Sequence, residues 1–132
     1  MDVHIGAAAR QSGISVDAIR YYESLGLIEG GRRDSVGRRV FTSDDVRWLV
    51  FLRTMRETGM PIADLQEYVR YRRAGAAGVD GVLAVLHRHQ HNITQQQVRL
   101  SDCAALIDVK IAKYRDLAQT GRPPGQPEVD LE

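Results

Sequence analysis

Between Val79 and Ala118, residues recur at alternating steps of four and three: Val79, Leu83, Leu86, Gln90, Ile93, Gln97, Leu100, Ala104, Ile107, Ile111, Tyr114 and Ala118. A mostly apolar stripe of this period keeps to one side of an α-helix and has the repeat of a coiled-coil seam. At 1.5 Å per residue the helix runs roughly 60 Å, longer than a small domain can cover. The stripe is also narrower than the apolar face of a helix laid on a globular core. A chain with this segment needs a partner helix, and a second copy of itself is the simplest one.

If the two copies run antiparallel, the seam has a register in which every position meets another. Residues whose numbers sum to 197 bring Val79 opposite Ala118, Leu86 opposite Ile111, Ile93 opposite Ala104 and Gln97 opposite Leu100 of the other copy. His87 then flanks Asp108 of the other chain and can pair with it when protonated. Cys103 falls roughly 12 Å along the axis from its own copy. That is too far for a disulfide, whose Cα atoms lie within about 7 Å.

The remaining residues have to make one modest core. The chain has 132 residues, 43% of them hydrophobic, which suits a single folded unit with an appendage. Cys103 is the one cysteine, so no zinc ribbon, iron-sulfur cluster or internal disulfide can hold the fold. No apolar run has the length of a membrane span, and Met1-Asp2-Val3-His4 lacks the order of a signal peptide, so a cytoplasmic location with no membrane partner is expected. The net charge of +1 hides an uneven distribution. Residues 1–73 carry net +2 and residues 74–132 net −1, and Arg32, Arg33, Arg38 and Arg39 place four positive charges within eight residues.

Ahead of the seam, residues 1–74 read as four short helices and a hairpin. Ile5, Ala8 and Ala9 mark a two-turn helix that Gly13 ends. Ser15 has the position of an N-cap for a second helix, with Asp17 in its first turn and Gly26 after it. Two short helices about a tight turn form a helix-turn-helix, its corner sealed by Ile14, Ile19 and Leu25. Arg20, Tyr21 and Tyr22 lie on the second helix. Neighbouring helix positions differ by about 100°, so one tyrosine packs inward and the other reaches out, where it can meet a nucleic-acid backbone. Gly37 to Phe41 alternates toward a cap at Thr42 or Ser43, giving a hairpin with its tip at residues 34–37. This basic arm suits a sugar-phosphate backbone, a solvated charged loop being the plainer reading. Val46, Leu49, Val50, Leu52 and Met55 give the next helix its inner face. Pro61 opens another helix with Ile62, Leu65 and Val69 inward and Tyr68 a further candidate for that face, and Ala74 to Gly78 forms a boundary.

These residues together resemble the MerR family of transcriptional regulators. The likeness rests on Ile5-Gly6, Ile19-Arg20-Tyr21-Tyr22-Glu23, Gly26-Leu27, Gly37-x-Arg39-x-Phe41, Asp45-Val46, and Leu52-x-x-Met55-Arg56-x-x-Gly59, in order over about seventy residues. The resemblance implies a mainly α protein: a winged helix-turn-helix DNA-binding domain with a small β hairpin over residues 1–74, then an antiparallel coiled-coil dimerisation helix over 79–120. It implies that Arg20 and one of Tyr21 or Tyr22 contact DNA, with Ser15 and Asp17 at the start of the same helix. Arg33, Arg38 and Arg39 would belong to the first wing and Arg56 would lie near the second. It also implies a homodimer on a pseudo-palindromic promoter, serving RNA polymerase by distorting the DNA in response to an effector. The chain departs from the family pattern at Arg38, where an aromatic is common, and at Asp17, where a basic or neutral residue is common. Asp17 can accept from a cytosine amino group or cap the helix.

The remaining candidates divide between chemistry and packing. Cys103 is a small residue beside the seam or a single reactive thiol of the kind some family members use. His87 and His91 share a helix face, but two ligands do not make a metal site, and His87, His89 and His91 read as surface residues on a solvated helix. The cysteine pair of the family's copper, zinc and mercury sensors is missing. No metal or other cofactor is expected. No catalytic constellation appears, so an enzyme is disfavoured. Gly121 to Pro127 cannot continue a helix, and residues 121–132 are expected to form a flexible tail. An architectural or excisionase-like DNA binder without an effector is the alternative reading, and it would not require the long seam.

Overall fold

The computed structural model describes residues 2–121, so the tail expected over 121–132 lies outside the described residues except for Gly121. The described elements are α1 (Ile5–Ser12), α2 (Val16–Ser24), α3 (Ser43–Glu57), α4 (Ile62–Arg73), a 3₁₀ turn (Gly75–Gly78) and α5 (Val79–Thr120). The chain separates into two compact units, Met1–His89 and Gln90–Glu132.

Local chemistry sets the element boundaries in the first unit. α1 stops where Gly13 takes a left-handed φ of 79° and its N–H reaches the Ala9 carbonyl. A side chain at that φ is strained, and glycine alone has no Cβ to pay for it. Ser12 is fully buried in the corner and its Oγ accepts from the Ile14 N–H at 3.3 Å. Ser15 caps α2, its Oγ accepting from the Ala18 N–H at 3.1 Å. Thr42 and Asp45 form a reciprocal capping box at the start of α3, with bonds of 2.9 and 3.1 Å. Each cap satisfies amides that the first helical turn leaves without partners.

Ala8, Ile19, Leu27, Phe41, Leu49, Leu52, Met60, Leu65, Val69 and Val85 are core residues of this unit. A fully buried side chain of Leu, Ile or Phe size contributes about 1.5–3 kcal/mol. Val3 and Phe41 exchange backbone hydrogen bonds of 2.9 and 2.7 Å, which ties the segment before α1 to the end of the arm. α3 is covered over more of its circumference than its expected inner face. Trp48 and Phe51 stack with Tyr68 of α4, with ring centroids 5.2, 5.8 and 5.3 Å apart, and Trp48 Nε1 donates to the Leu27 carbonyl at 2.7 Å.

The compact unit does not end at the glycine-alanine stretch. Gly78 lets the start of α5 pass against α4, since a Cβ there would lie 1.8 Å from the Tyr71 carbonyl oxygen. Val85 and His89, four residues apart and off the seam, are then buried in the first unit. His89 is only 4% exposed, and its Nε2 lies 2.8 Å from Thr58 Oγ1, so the expectation of a surface histidine fails here. Arg88 beside it spans Asp64 and Glu67 of α4 at 3.3 Å each. His87 and His91 are exposed, in line with the solvated-helix expectation. Among the described residues, no group of three or more His, Cys, Asp or Glu side chains could hold a metal ion.

Within the second unit, described to Gly121, α5 continues through Thr120. Leu100, Ile107, Ile111 and Tyr114 of the seam are exposed, Leu100 to 69%. Gln97 and Ala104 are exposed as well, and Ile93 is half-buried. Cys103 is exposed and free. No described helix is long and apolar enough to cross a membrane.

Candidate nucleic-acid interface

α2 presents two chemically different faces. Ile19 is buried and Tyr22 packs against the core, whereas Ser15, Asp17 and Arg20 are exposed and Tyr21 is 55% exposed. The Tyr21 and Tyr22 rings are 6.0 Å apart at their centroids, one reaching out and the other in. Ser24 Oγ donates to the Tyr21 carbonyl at 2.5 Å and closes the last turn. An exposed guanidinium and phenol on one helix face can donate to phosphate oxygens and base edges.

The arm between α2 and α3 is closed by few bonds. Arg33 and Arg39 form an antiparallel bridge, Asp34 N–H donates to Arg38 O, Val40 N–H donates to Arg32 O, and Gly37 turns the tip at a φ of 90°. A single bridge and its flanking bonds make this hairpin, rather than an extended sheet.

Asp34 organises the tip. Its carboxylate accepts from the backbone N–H groups of Val36 and Arg38, from Arg38 Nε at 2.9 Å, and pairs with His4 Nε2 at 2.8 Å. The Arg38 N–H, followed by His4, the Val36 N–H and the Arg38 charge, holds this carboxyl well below the ordinary carboxylate range against an opposing effect of burial.

The arginines of the arm differ in what they can offer a ligand. Arg32 pairs with Asp2 at 2.8 Å, and exposed Arg33 donates from Nη1 to the Gly37 carbonyl at 3.0 Å, leaving Nη2 and Nε for another acceptor. Arg38 is 61% exposed. Arg39 is turned inward and only 9% exposed. Its Nε donates to Glu23 Oε2 at 3.1 Å, its Nη2 to the Glu29 carbonyl at 2.8 Å and its Nη1 to the Val40 carbonyl at 2.5 Å, with the guanidinium 4.4 Å above the Phe41 ring. The expectation that Arg39 meets DNA directly therefore conflicts with its geometry. The available signal was the strand period of two, which puts Arg39 on the side of Phe41, a fully buried residue, and Arg38 on the other side.

Arg56 is exposed in the last turn of α3 and donates from Nη1 to the Met60 carbonyl at 2.7 Å. Ser15, Arg53 and Arg56 line one open cleft where α2 meets α3. Arg53 is not among the residues that the sequence points to. Its Nη1 occupies the space a Cβ on Gly13 would need, at 2.4 Å, and its buried Nε has no hydrogen-bond partner among the described residues. The structure thus gathers Ser15 and Arg56 at one end of α2 and joins the arm, through Arg39, to its other end.

A helix-turn-helix whose second helix is open to solvent, flanked by a basic hairpin, defines a DNA-binding module of the winged type. Residues 3–72 match the family model of the MerR HTH family regulatory protein. The chain belongs to the MerR family of transcriptional regulators, which are not enzymes. It is 29% identical over 114 residues to an HTH-type transcriptional regulator of Haemophilus influenzae, covering 86% of this chain and 84% of that one. It is 39% identical over 66 residues to YyaN of Bacillus subtilis, spanning about half of either chain. Among solved structures it is similar to HiNmlR, a MerR family regulator lacking the sensor domain, bound to promoter DNA, with a TM-score of 0.83, 28% identity and 92% of both chains covered.

Proposed function

We propose that this regulator works as a homodimer on a pseudo-palindromic promoter site. The two copies join through the α5 seam in the antiparallel register. Each α2 enters a major groove with Arg20 and Tyr21 foremost, Ser15 and Asp17 near the helix start, and Tyr22 supporting the ring of Tyr21. Arg33, Arg38 and Arg56 hold the flanking phosphates. An effector changes the angle between the two DNA-binding heads, and the resulting distortion of the promoter alters its use by RNA polymerase. Cys103 is the candidate contact for an electrophilic or oxidising effector. The observation that carries the dimer is the exposure of Val79, Leu83, Leu100, Ile107, Ile111 and Tyr114 on one 42-residue helix. So long an apolar stripe is covered in a stable protein by a partner.

Cysteines at 86 and 111, in a Cys103→Ser background, test the register. Oxidation should link residue 86 of one copy to 111 of the other and give a covalent dimer from a single chain carrying both. The single variants should link poorly. Efficient linking of 86 to 86 would overturn the antiparallel pairing, and a monomer in sedimentation equilibrium at micromolar concentration would overturn the dimer.

A further inference from the structure

We propose that Arg39 is a positioning residue for DNA recognition, a strap that fixes the basic arm to the last turn of α2. The inference rests on the reading above, in which α2 and the arm face the DNA. Three groups receive the guanidinium: Glu23 in α2, the carbonyl of Glu29 in the loop that follows, and its own strand at Val40. A planar guanidinium with separated donors can hold three acceptors in one geometry, which a lysine ammonium on a flexible stem cannot. The Phe41 ring beneath it sits in the core, so the strap is also anchored from below. Arg20 and Tyr21 lie three and two residues before Glu23, and Arg38 directly precedes Arg39. Groove-reading and backbone-holding groups therefore meet through one side chain that itself has little surface left for DNA.

Gly31 supports the same conclusion independently. A Cβ at this position would lie 2.1, 2.5 and 2.8 Å from Nη1, Cζ and Nη2 of Arg39. The guanidinium occupies the space that the missing side chain leaves open, and any larger residue there displaces it.

This gives a test that separates geometry from charge. The probe is a duplex isolated from a random-sequence library by selection with the wild-type chain, and affinity is measured across a range of salt concentrations. Gly31→Ala changes no charge, and Glu23→Gln removes a negative charge, which on electrostatic grounds alone tightens binding to a polyanion. A strap predicts the opposite: each variant binds about tenfold more weakly. Combining Glu23→Gln with Arg39→Gln should be no worse than Arg39→Gln alone, because both act on one interaction, the first by removing the carboxylate charge and the second by removing the guanidinium. Hydroxyl-radical footprints should lose the backbone protection due to the arm while keeping that centred on α2.

If Gly31→Ala and Glu23→Gln bind as tightly as wild type while Arg39→Gln reduces the salt slope by about one, Arg39 is a direct phosphate contact and the proposal fails. It fails equally if arm and helix protections vanish together in step with lost helical content, since that is general unfolding. If Arg39→Gln does not fold, Gly31→Ala and Glu23→Gln carry the test. Selection of no duplex by the wild-type chain would instead count against the DNA-facing reading itself.

Discussion

The buried pair Thr58–His89 gives a prediction in which two single changes at one contact have unequal consequences. Thr58 Oγ1 lies 2.9 Å from the Thr54 carbonyl and 3.2 Å from that of Met55, so its one proton goes to a carbonyl. It therefore accepts from His89, whose Nε2 carries the proton, and the other ring nitrogen, Nδ1, is buried with no hydrogen-bond partner among the described residues. Thr58→Val keeps the shape but strands a buried N–H donor, a loss of about 1–3 kcal/mol. His89→Leu removes the donor and the unpaired Nδ1 together and refills most of the space with carbon. Thr58 keeps its contacts with the Thr54 and Met55 carbonyls, and the expected effect lies within about 1 kcal/mol of zero. The double variant should match His89→Leu, giving a coupling of about 1–3 kcal/mol in a double-mutant cycle. Urea unfolding of the full chain, at one fixed protomer concentration so that assembly does not shift the result, reads these values. Equal destabilisation by both single variants with additive combination would refute the reasoning, since the hydrogen bond would then contribute nothing specific.

Three further outcomes are expected. Gly78→Ala places a Cβ 1.8 Å from a backbone oxygen that cannot swing aside, and should destabilise by more than the 1–3 kcal/mol typical of an overpacked side chain, read as a large fall in urea midpoint. Gly13→Ala combines a φ of 79° with contact at Arg53 and should cost about 1–2 kcal/mol in the same assay; a neutral result would show that the corner relaxes freely. Asp34 has a carboxyl value lowered from an ordinary 3.8, so its contribution is fully present above that pH and is lost only as pH falls through the lowered value. Amide exchange at Val36 and Arg38 should stay protected from neutral pH down to about pH 4 and should quicken in Asp34→Asn. Unchanged exchange in that variant would remove Asp34 from the role of tip organiser.

What could be read from the chain beforehand was local. Ser15 and the Thr42–Ser43 cap, the stop at Gly13, and the opposed fates of Tyr21 and Tyr22 follow from residues within a turn or two of one another. The core at Ile14, Ile19, Leu49, Leu52, Leu65 and Val69 follows from spacing alone. What escaped involved a choice between partners distant in sequence. Arg39 was counted with its charged neighbours, yet Glu23 lies 16 residues away and makes it an interior group. His89 sits between two exposed histidines, and its burial depends on Thr58, 31 residues earlier, although its spacing of four from Val85 was visible. Trp48 and Phe51 needed Tyr68 across the α3–α4 contact to show that they stack. A charge or an aromatic ring does not say in one dimension which surface it will meet.

The proposed antiparallel register also bears on when assembly can occur. The first compact unit is complete once the chain has been made through His89, whereas in that register the first part of the seam, at Val79 and Leu86, would pair with Ala118 and Ile111 of the other copy. Two chains still growing on ribosomes each possess the early half and lack the late half. On that register pairing would wait for at least one chain grown past the seam, which would limit association between incomplete products.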